Sequence, residues 1–406
     1  MHKFDLHIPT RILYGPEQGT KFANHISGLA DKVMIIIGGG SVEEKGYLQF
    51  VQSLLESNKI QTEVFRGIEP NPHSQTINNG AQAAREFGAD MLLAFGGGSV
   101  MDAAKGMAAL LYMDETDIWP YVRGEKKSGR ITGAAPIACI PTTAATASEV
   151  TPVSVISNPE VRGKSVIASR HLRSEVSWLN PDFTTSLPST VTRDGASDIL
   201  SHVFENYILG GNDSPIADRY SEAIIETVLE TLPKVIDSPN DAGLRGTLLW
   251  ASTLALNGMQ QAGRQPGEFV MHSMEHAISG FYPNVAHGRG LATLYPAYFR
   301  WMVEHNRATD RFAQLGTRLF NVTADEPHRA ALEFISRFEQ WLQDNELYQS
   351  LPDLGVSTEN YQQIARYAID VYGQDKTLSA LGPITEEHIV EIFHATEDQH
   401  TQKSVG

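Results

Sequence analysis

Cysteine, basic residues and long apolar runs are all scarce in this chain, and each scarcity removes a class of function. There is one cysteine, Cys139. No intramolecular disulfide can form, no cysteine-rich zinc module exists, and a reducing compartment fits. Lys and Arg number 32 against 48 Asp and Glu, a net charge of −16. That balance argues against nucleic acid or an anionic membrane as a partner, because both are bound through basic patches. The acidic residues are dispersed rather than gathered in a tail, which reads as solubility. No apolar run approaches the roughly 18 residues that cross a bilayer; Val33–Ile37 and Met91–Phe95 are far shorter. The opening MHKFDLHIPTRILYG lacks the apolar core of a signal peptide. We expect a cytoplasmic protein.

The 406 residues, 41% of them apolar, suffice for a sizeable core and most simply for two domains. The first half alternates short apolar runs with helical patterns, as βαβ units around a parallel sheet do. VMIII (33–37) leads into Gly38-Gly39-Gly40-Ser41 and a helical spacing of apolar residues. MLLAF (91–95) leads into Gly96-Gly97-Gly98-Ser99 and VMDAAKGMAALL. APIACI (135–140) runs into Pro141-Thr142-Thr143. From about residue 187 the texture turns helical. Ser214-Pro215 opens one helix with a cap and a first-turn proline, and Ile216, Tyr220, Ala223, Ile224 and Val228 follow at helical intervals. Other helical patterns cover 244–255, 309–345 and 359–372. The expectation is an α/β domain over 1–186, an all-helical domain over 187–406, and a frayed tail over Thr401–Gly406.

One aspartate and four histidines in the second half carry the most chemistry. Asp198-x3-His202 and His272-x3-His276 are each four apart, so on a helix each pair shares one face. His287 follows eleven residues later. Neutral imidazoles with a carboxylate suit a borderline divalent ion such as zinc or ferrous iron. One such pair alone reads more readily as a polar helix face or a hydrogen-bonded core histidine; two pairs with His287 do not.

A strand ending in three glycines and a serine before a helix lets backbone N–H groups approach a phosphate. Neither loop is the usual dinucleotide fingerprint, because Met101 and Glu43 stand where the third glycine belongs. The P-loop pattern is absent too. A tight strand-to-helix turn explains one such loop equally well; two in one domain beside a metal site suggest a metal-assisted dehydrogenase.

In these motifs the chain resembles the iron-containing (group III) alcohol dehydrogenases, and within them the NADPH-dependent aldehyde reductase and butanol dehydrogenase branch. The motifs run in the family's order: PTRILYG, the first GGGS, GIEPNP (67–72), GGGSVMDAAK (96–105), PTTAATASEVT (141–151), DILSH (198–202), the histidine cluster, and GPITEEHIVEIF (382–393). The resemblance implies a Rossmann-like parallel-sheet domain followed by an all-helical one, the dehydroquinate synthase-like fold. It implies Asp198, His202, His272 and His287 as ligands of Fe²⁺ or Zn²⁺, and His276 as a catalytic neighbour lining the substrate site. Gly97, Gly98 and Ser99 correspond to the pyrophosphate loop; Asn71, Thr142, Thr143 and Lys164 correspond to further coenzyme contacts. Asp102 corresponds to an acid near the nicotinamide, and reads equally as favourable charge in a helix's first turn.

The implied chemistry is hydride transfer between NAD(P)H and a small aldehyde or primary alcohol, by a homodimer. Gly38, Gly39, Gly40 and Ser41 would meet the adenosine ribose. No acid there binds a 2′-hydroxyl, so NADP(H) is expected over NAD(H), although Glu43 and Glu44 follow and Lys45 only partly offsets them. The chain departs from the family at PTTAGTGSE, where Ala145 and Ala147 replace two glycines; a positive φ at either would demand a remodelled loop. Asn180-Pro181 stands for the usual Asp-Pro.

Three other readings remain. His272-Ser-Met-Glu275-His276 satisfies the H-x-x-E-H pattern of a zinc peptidase with Glu275 as base, which leaves the glycine loops, Asp198 and His287 without a role. A polyol dehydrogenase or cyclising lyase would keep the fold and change the chemistry. A non-catalytic binding protein would have no use for an intact ligand set.

Overall fold

A computed structural model describes residues 1–265 and 267–401, so 402–406 of the expected tail lie outside the described residues. Two compact units emerge. One comprises His7–Pro188 with Ser238–Thr253; the other comprises Met1–Leu6, Ser189–Asp237 and the chain from Leu254 onward. The break near 186–187 is therefore two residues later, and neither unit is one continuous stretch. Residues 238–253 pack with the sheet-bearing unit.

In that unit eight strands form: β1 (Arg11–Tyr14), β2 (Lys32–Ile36), β3 (Gln61–Phe65), β4 (Met91–Gly96), β5 (Ile137–Pro141), β6 (Val153–Asn158), β7 (Gly163–Ala168) and β8 (Val176–Leu179). Six make a wholly parallel sheet in the order β1-β8-β5-β4-β2-β3. Along β2, Met34 and Ile36 enter one core with Leu92 and Ala94 of β4. Val33, Ile35 and Ile37 enter the other with Leu93 and Phe95. Both faces are buried, which is why these strands read as unbroken apolar runs rather than alternating ones. Helices Ser74–Phe87 and Gly98–Met113 cover the first face, Gly19–Ser27 and Tyr47–Glu56 the second. Cys139 lies inside the sheet, where burial pushes its thiol up to about 12 and leaves it inert.

The strand order carries the functional consequence. The chain goes from β2 outward to β3, then returns to lay β4 on the other side of β2. Ligands of open parallel sheets bind beyond the strand C-termini at such a switch point. Both glycine loops stand there, one after β2 and one after β4. Beside the sheet, β6 and β7 form an antiparallel hairpin.

The second unit is helical: Ser189–Leu209, Pro215–Asp237, Val270–Phe281, His287–Glu304, Thr309–Phe320, Pro327–Asp344, Tyr361–Tyr372 and Glu386–Thr401 lie in it. A two-stranded hairpin, β9 (Leu378–Ser379) with β10 (Pro383–Ile384), interrupts the expected all-helical texture. In helix Pro215–Asp237 the expected apolar stripe is shifted. Ile216 is 75% exposed, while Ala217, Ile224, Ile225, Val228 and Leu232 face inward. The buried stripe carries polar members too, because Asp218, Ser221 and Glu222 are also inside. Among the described residues no helix is long and apolar enough to cross a membrane.

Candidate metal centre and coenzyme loops

Asp198 and His202 sit one turn apart near the middle of helix Ser189–Leu209, and His272 and His276 do the same on Val270–Phe281. His287 is the first residue of His287–Glu304. Three helices thus converge on one point. Asp198 Oδ1 lies 3.5 Å from His202 Nε2, 3.8 Å from His272 Nε2 and 3.6 Å from His287 Nε2. Donors about 2.1 Å from one tetrahedral ion stand about 3.4 Å apart, so these separations are those of groups around an ion. Asp198 Oδ1 is buried and makes no hydrogen bond. Such an orphan carboxylate oxygen is costly unless a cation faces it. The residues present fit a single divalent ion.

The electrostatics agree. Burial alone would push the Asp198 carboxyl up, yet the charge of His202 and the bond and charge of His272, with His287, hold it below the usual carboxylate range. Burial pushes His202 down to about 3 despite Asp198, leaving the neutral ring that a metal needs. Burial also disfavours charge on His272, but Asp198 and Glu205 outweigh it and raise it to about 9. The pocket between those carboxylates therefore calls for positive charge.

Two glutamates that the sequence reading left without this role complete the arrangement. His272 Nδ1 bonds Glu205, and His287 Nδ1 bonds Glu275. Glu205 stands three residues after His202, a spacing that could have flagged it. In the H-x-x-E-H pattern Glu275 would be a general base, whereas its carboxylate faces His287. His276 stands beside His287 with ring centroids 5.2 Å apart, and its Nδ1 is 3.1 Å from the Tyr372 hydroxyl. Tyr372, 96 residues away, carried no signal in the sequence.

The start of His287–Glu304 is pinned from below. A Cβ on Gly288 would lie 1.9 Å from the Asp194 carbonyl oxygen, and Arg289 Nε donates to Asp194 Oδ1 at 2.8 Å. Gly288→Ala must therefore push the helix, and His287 with it, away from Asp198. We expect at least about 1–3 kcal/mol lower stability from overpacking, with clear loss of bound metal. A wild-type metal content at unchanged melting temperature would contradict this.

In the other unit Asn71, Gly97, Ser99, Thr142 and Thr143 meet around the second glycine loop. Helix Gly98–Met113 begins at the second loop and no side chain caps its first turn, the condition for an anion there. Asn71, in the left-handed region at φ 56, donates its N–H to Ser99 Oγ at 3.2 Å. Thr142 N–H bonds the Gly96 carbonyl at 3.0 Å. A Cβ at Gly97 would come within 3.1 Å of Thr143 Oγ1, and one at Gly98 within 2.5 Å of Thr146 Cγ2. Those glycines admit the threonine loop.

Ala147 holds φ 50 while 1% exposed, a left-handed conformation that strains an alanine and would suit a glycine. Ala145 is not in that region.

Asp102 is the fifth residue of its helix, outside the first turn. Oδ1 accepts from Ser148 Oγ at 2.6 Å and Oδ2 from Val155 N–H at 2.9 Å. Burial pushes its carboxyl up, with Lys105, Ser148, Val155 and Lys164 pulling against it. Lys164 is 2% exposed on β7. Lys105, which the sequence reading passed over, is fully buried and donates to Ser148 Oγ, Thr151 Oγ1 and the Val153 carbonyl. Gly38–Gly40 are followed by the short helix Ser41–Glu44, and Arg66 pairs with Glu43 at 2.9 Å.

Residues 9–181 match the family described as iron-containing alcohol dehydrogenase, and 192–396 match the C-terminal domain of the Fe-containing alcohol dehydrogenase family. The chain is 32% identical over 394 residues to the NADH-dependent butanol dehydrogenase A of Clostridium acetobutylicum, covering 97% of this chain and 99% of that one. It is 33% identical to an NADPH-dependent aldehyde reductase of Escherichia coli, covering 84% and 87%. The crystal structure of an NADH-dependent butanol dehydrogenase A from Thermotoga maritima superposes with a TM-score of 0.91 at 30% identity, over 98% and 99% of the two chains. With both halves matched in order, the peptidase, lyase and non-catalytic readings fall away: this chain belongs to the iron-containing alcohol dehydrogenases and is an NAD(P)-dependent alcohol dehydrogenase or aldehyde reductase.

Proposed function

We propose that this enzyme interconverts small aldehydes and primary alcohols with one divalent ion, Fe²⁺ or Zn²⁺, held by Asp198, His202, His272 and His287. The observation that carries the reading is the Asp198 oxygen with three imidazole nitrogens 3.5–3.8 Å away. A bound ion would supply Lewis acidity to the substrate oxygen, and the nicotinamide would supply or take up the hydride at the carbon bearing it. Asp198 supplies the anionic donor, and the neutral imidazoles complete the cradle. His276, bonded to the Tyr372 hydroxyl, holds or releases the proton at the substrate oxygen. Asp102 fastens Ser148 and the backbone of Val155 to the helix of the second glycine loop, keeping the coenzyme contacts in register. Gly97, Gly98 and Ser99 receive the pyrophosphate; Asn71, Thr142, Thr143 and Lys164 frame it.

NADP(H) is the proposed coenzyme, with Gly38, Gly39, Gly40 and Ser41 at the adenosine ribose. Space beside Gly39 and Gly40 is open to at least 4 Å. No carboxylate stands at 38–41, and Arg66 neutralises Glu43 beside the loop. The butanol dehydrogenases' names carry NADH and the aldehyde reductase's NADPH, so this chain's own loop decides. Phe4, Leu6 and Ile8 are exposed at alternate positions. β1 is a sheet edge, and both features favour a homodimer. The dispersed negative charge and the single, buried cysteine favour the cytoplasm.

The test is an aldehyde panel with NADPH and NADH on protein loaded separately with Fe²⁺ and Zn²⁺. We expect aldehyde-dependent oxidation of NADPH with kcat/KM about tenfold above NADH, equivalent to about 1.4 kcal/mol. Gly38→Asp should shift the ratio toward NADH, the Ile68 carbonyl giving way slightly to the new Cβ at 3.3 Å. A wild-type enzyme that already prefers NADH would refute the coenzyme reading while leaving the metal site standing.

A further inference from the structure

Three imidazoles surround Asp198, and they are not equivalent. His202 Nδ1 is buried without a hydrogen-bond partner. His272 and His287 each present Nδ1 to a glutamate that reaches in from a different helix. Glu205, 2% exposed on Ser189–Leu209, accepts the Met271 N–H at 2.6 Å, the His272 N–H at 3.3 Å and the bond from His272 Nδ1. It thereby satisfies the first turn of Val270–Phe281, where Phe269 provides no side-chain cap. Glu275, fully buried on that helix, reaches His287 on the next. A chain of contacts links the three helices, each running through a proposed ligand.

We propose that Glu205 and Glu275 are positioning residues of the metal centre. Each carboxylate locks the proton of its imidazole on Nδ1, turns Nε2 toward Asp198 and makes that nitrogen a stronger donor. Glu205 also holds backbone, through the Met271 and His272 N–H groups. His202 is the weakly held imidazole of the set. The inference rests on the proposed ligands, and the experiment separates the two.

Co²⁺ affinity, measured by competition with a chromogenic chelator, is compared in wild type, Glu275→Gln, His287→Ala and the double variant. The Co²⁺ ligand-field spectrum and the melting temperature of the metal-free proteins are recorded alongside. Glu275→Gln should weaken Co²⁺ binding by about 10- to 100-fold and shift the spectrum, while the metal-free melting temperature stays near wild type. In the His287→Ala background the same change should cost under about twofold, because the proposed effect of Glu275 on the metal passes through the His287 ring. Glu275→Asp, which keeps the charge but draws it back by one methylene, should lose affinity in the same direction and serves if the glutamine variant does not fold. Unchanged affinity in Glu275→Gln, or an equal loss in the His287→Ala background, overturns the proposal. Undiminished binding in His287→Ala alone would instead overturn the ligand set.

Discussion

His202→Ala should lose most of its bound metal and about a thousandfold or more in turnover. Helix Ser189–Leu209 will tolerate the change, since alanine is the best helix former and His202 Nδ1 bonds nothing that truncation would orphan. What disappears is one of the donors arranged around Asp198 Oδ1, 3.5 Å away. If the ion supplies about 4 kcal/mol of transition-state charge stabilisation, its loss costs about three powers of ten in rate. Metal analysis after gel filtration and initial rates with a saturating aldehyde decide the matter. Full occupancy with unchanged turnover would refute the assignment of His202.

Asp218→Ala should be the most destabilising substitution away from the metal. Asp218, 4% exposed, takes two bonds from Arg311, at 2.7 and 2.8 Å, and one from Arg264 at 2.9 Å. Both guanidiniums are buried and stack toward Tyr207. Removing the carboxylate strands two buried cations, at a cost of about 3–5 kcal/mol. Chemical denaturation should show it directly, and a loss below about 1 kcal/mol would mean that water relieves the arginines.

The same cluster sets an acid limit. Burial would raise the Asp218 carboxyl, but Arg311 and Arg264 prevail and its folded pKa is lowered. A lowered folded value means stability that is present above the unfolded pKa, about 3.9. That stability is lost progressively as pH falls toward the folded value. Asp218→Ala should flatten that part of the stability profile below about pH 4.

Much was legible in the chain because it depends on local order. VMIII and MLLAF became β2 and β4 almost residue for residue, since a strand buried on both faces needs an unbroken apolar run. The four-residue spacings of Asp198 with His202 and of His272 with His276 required only a helix to share a face. Ile216 shows the limit: helical spacing marked it as inward, but Asp218, Ser221 and Glu222 turned the buried stripe away from it. The interruption by β9 and β10 had no periodicity to announce it, each strand being two residues long.

Composition, strand and helix periods and the i,i+4 pairings of Asp198 with His202 and of His272 with His276 were thus set by the sequence alone, because each involves local residues. The tertiary structure decided what depends on distant groups meeting. It brought β4 back beside β2 to make the switch point, kept Ala147 in a left-handed conformation, and engaged both oxygens of Asp102. It also placed Glu205 and Glu275 behind two imidazoles and Tyr372 beside His276. Local spacing could at most have flagged Glu205; a hydrogen bond across as many as 96 residues exists only once packing has fixed the helices that carry its two ends.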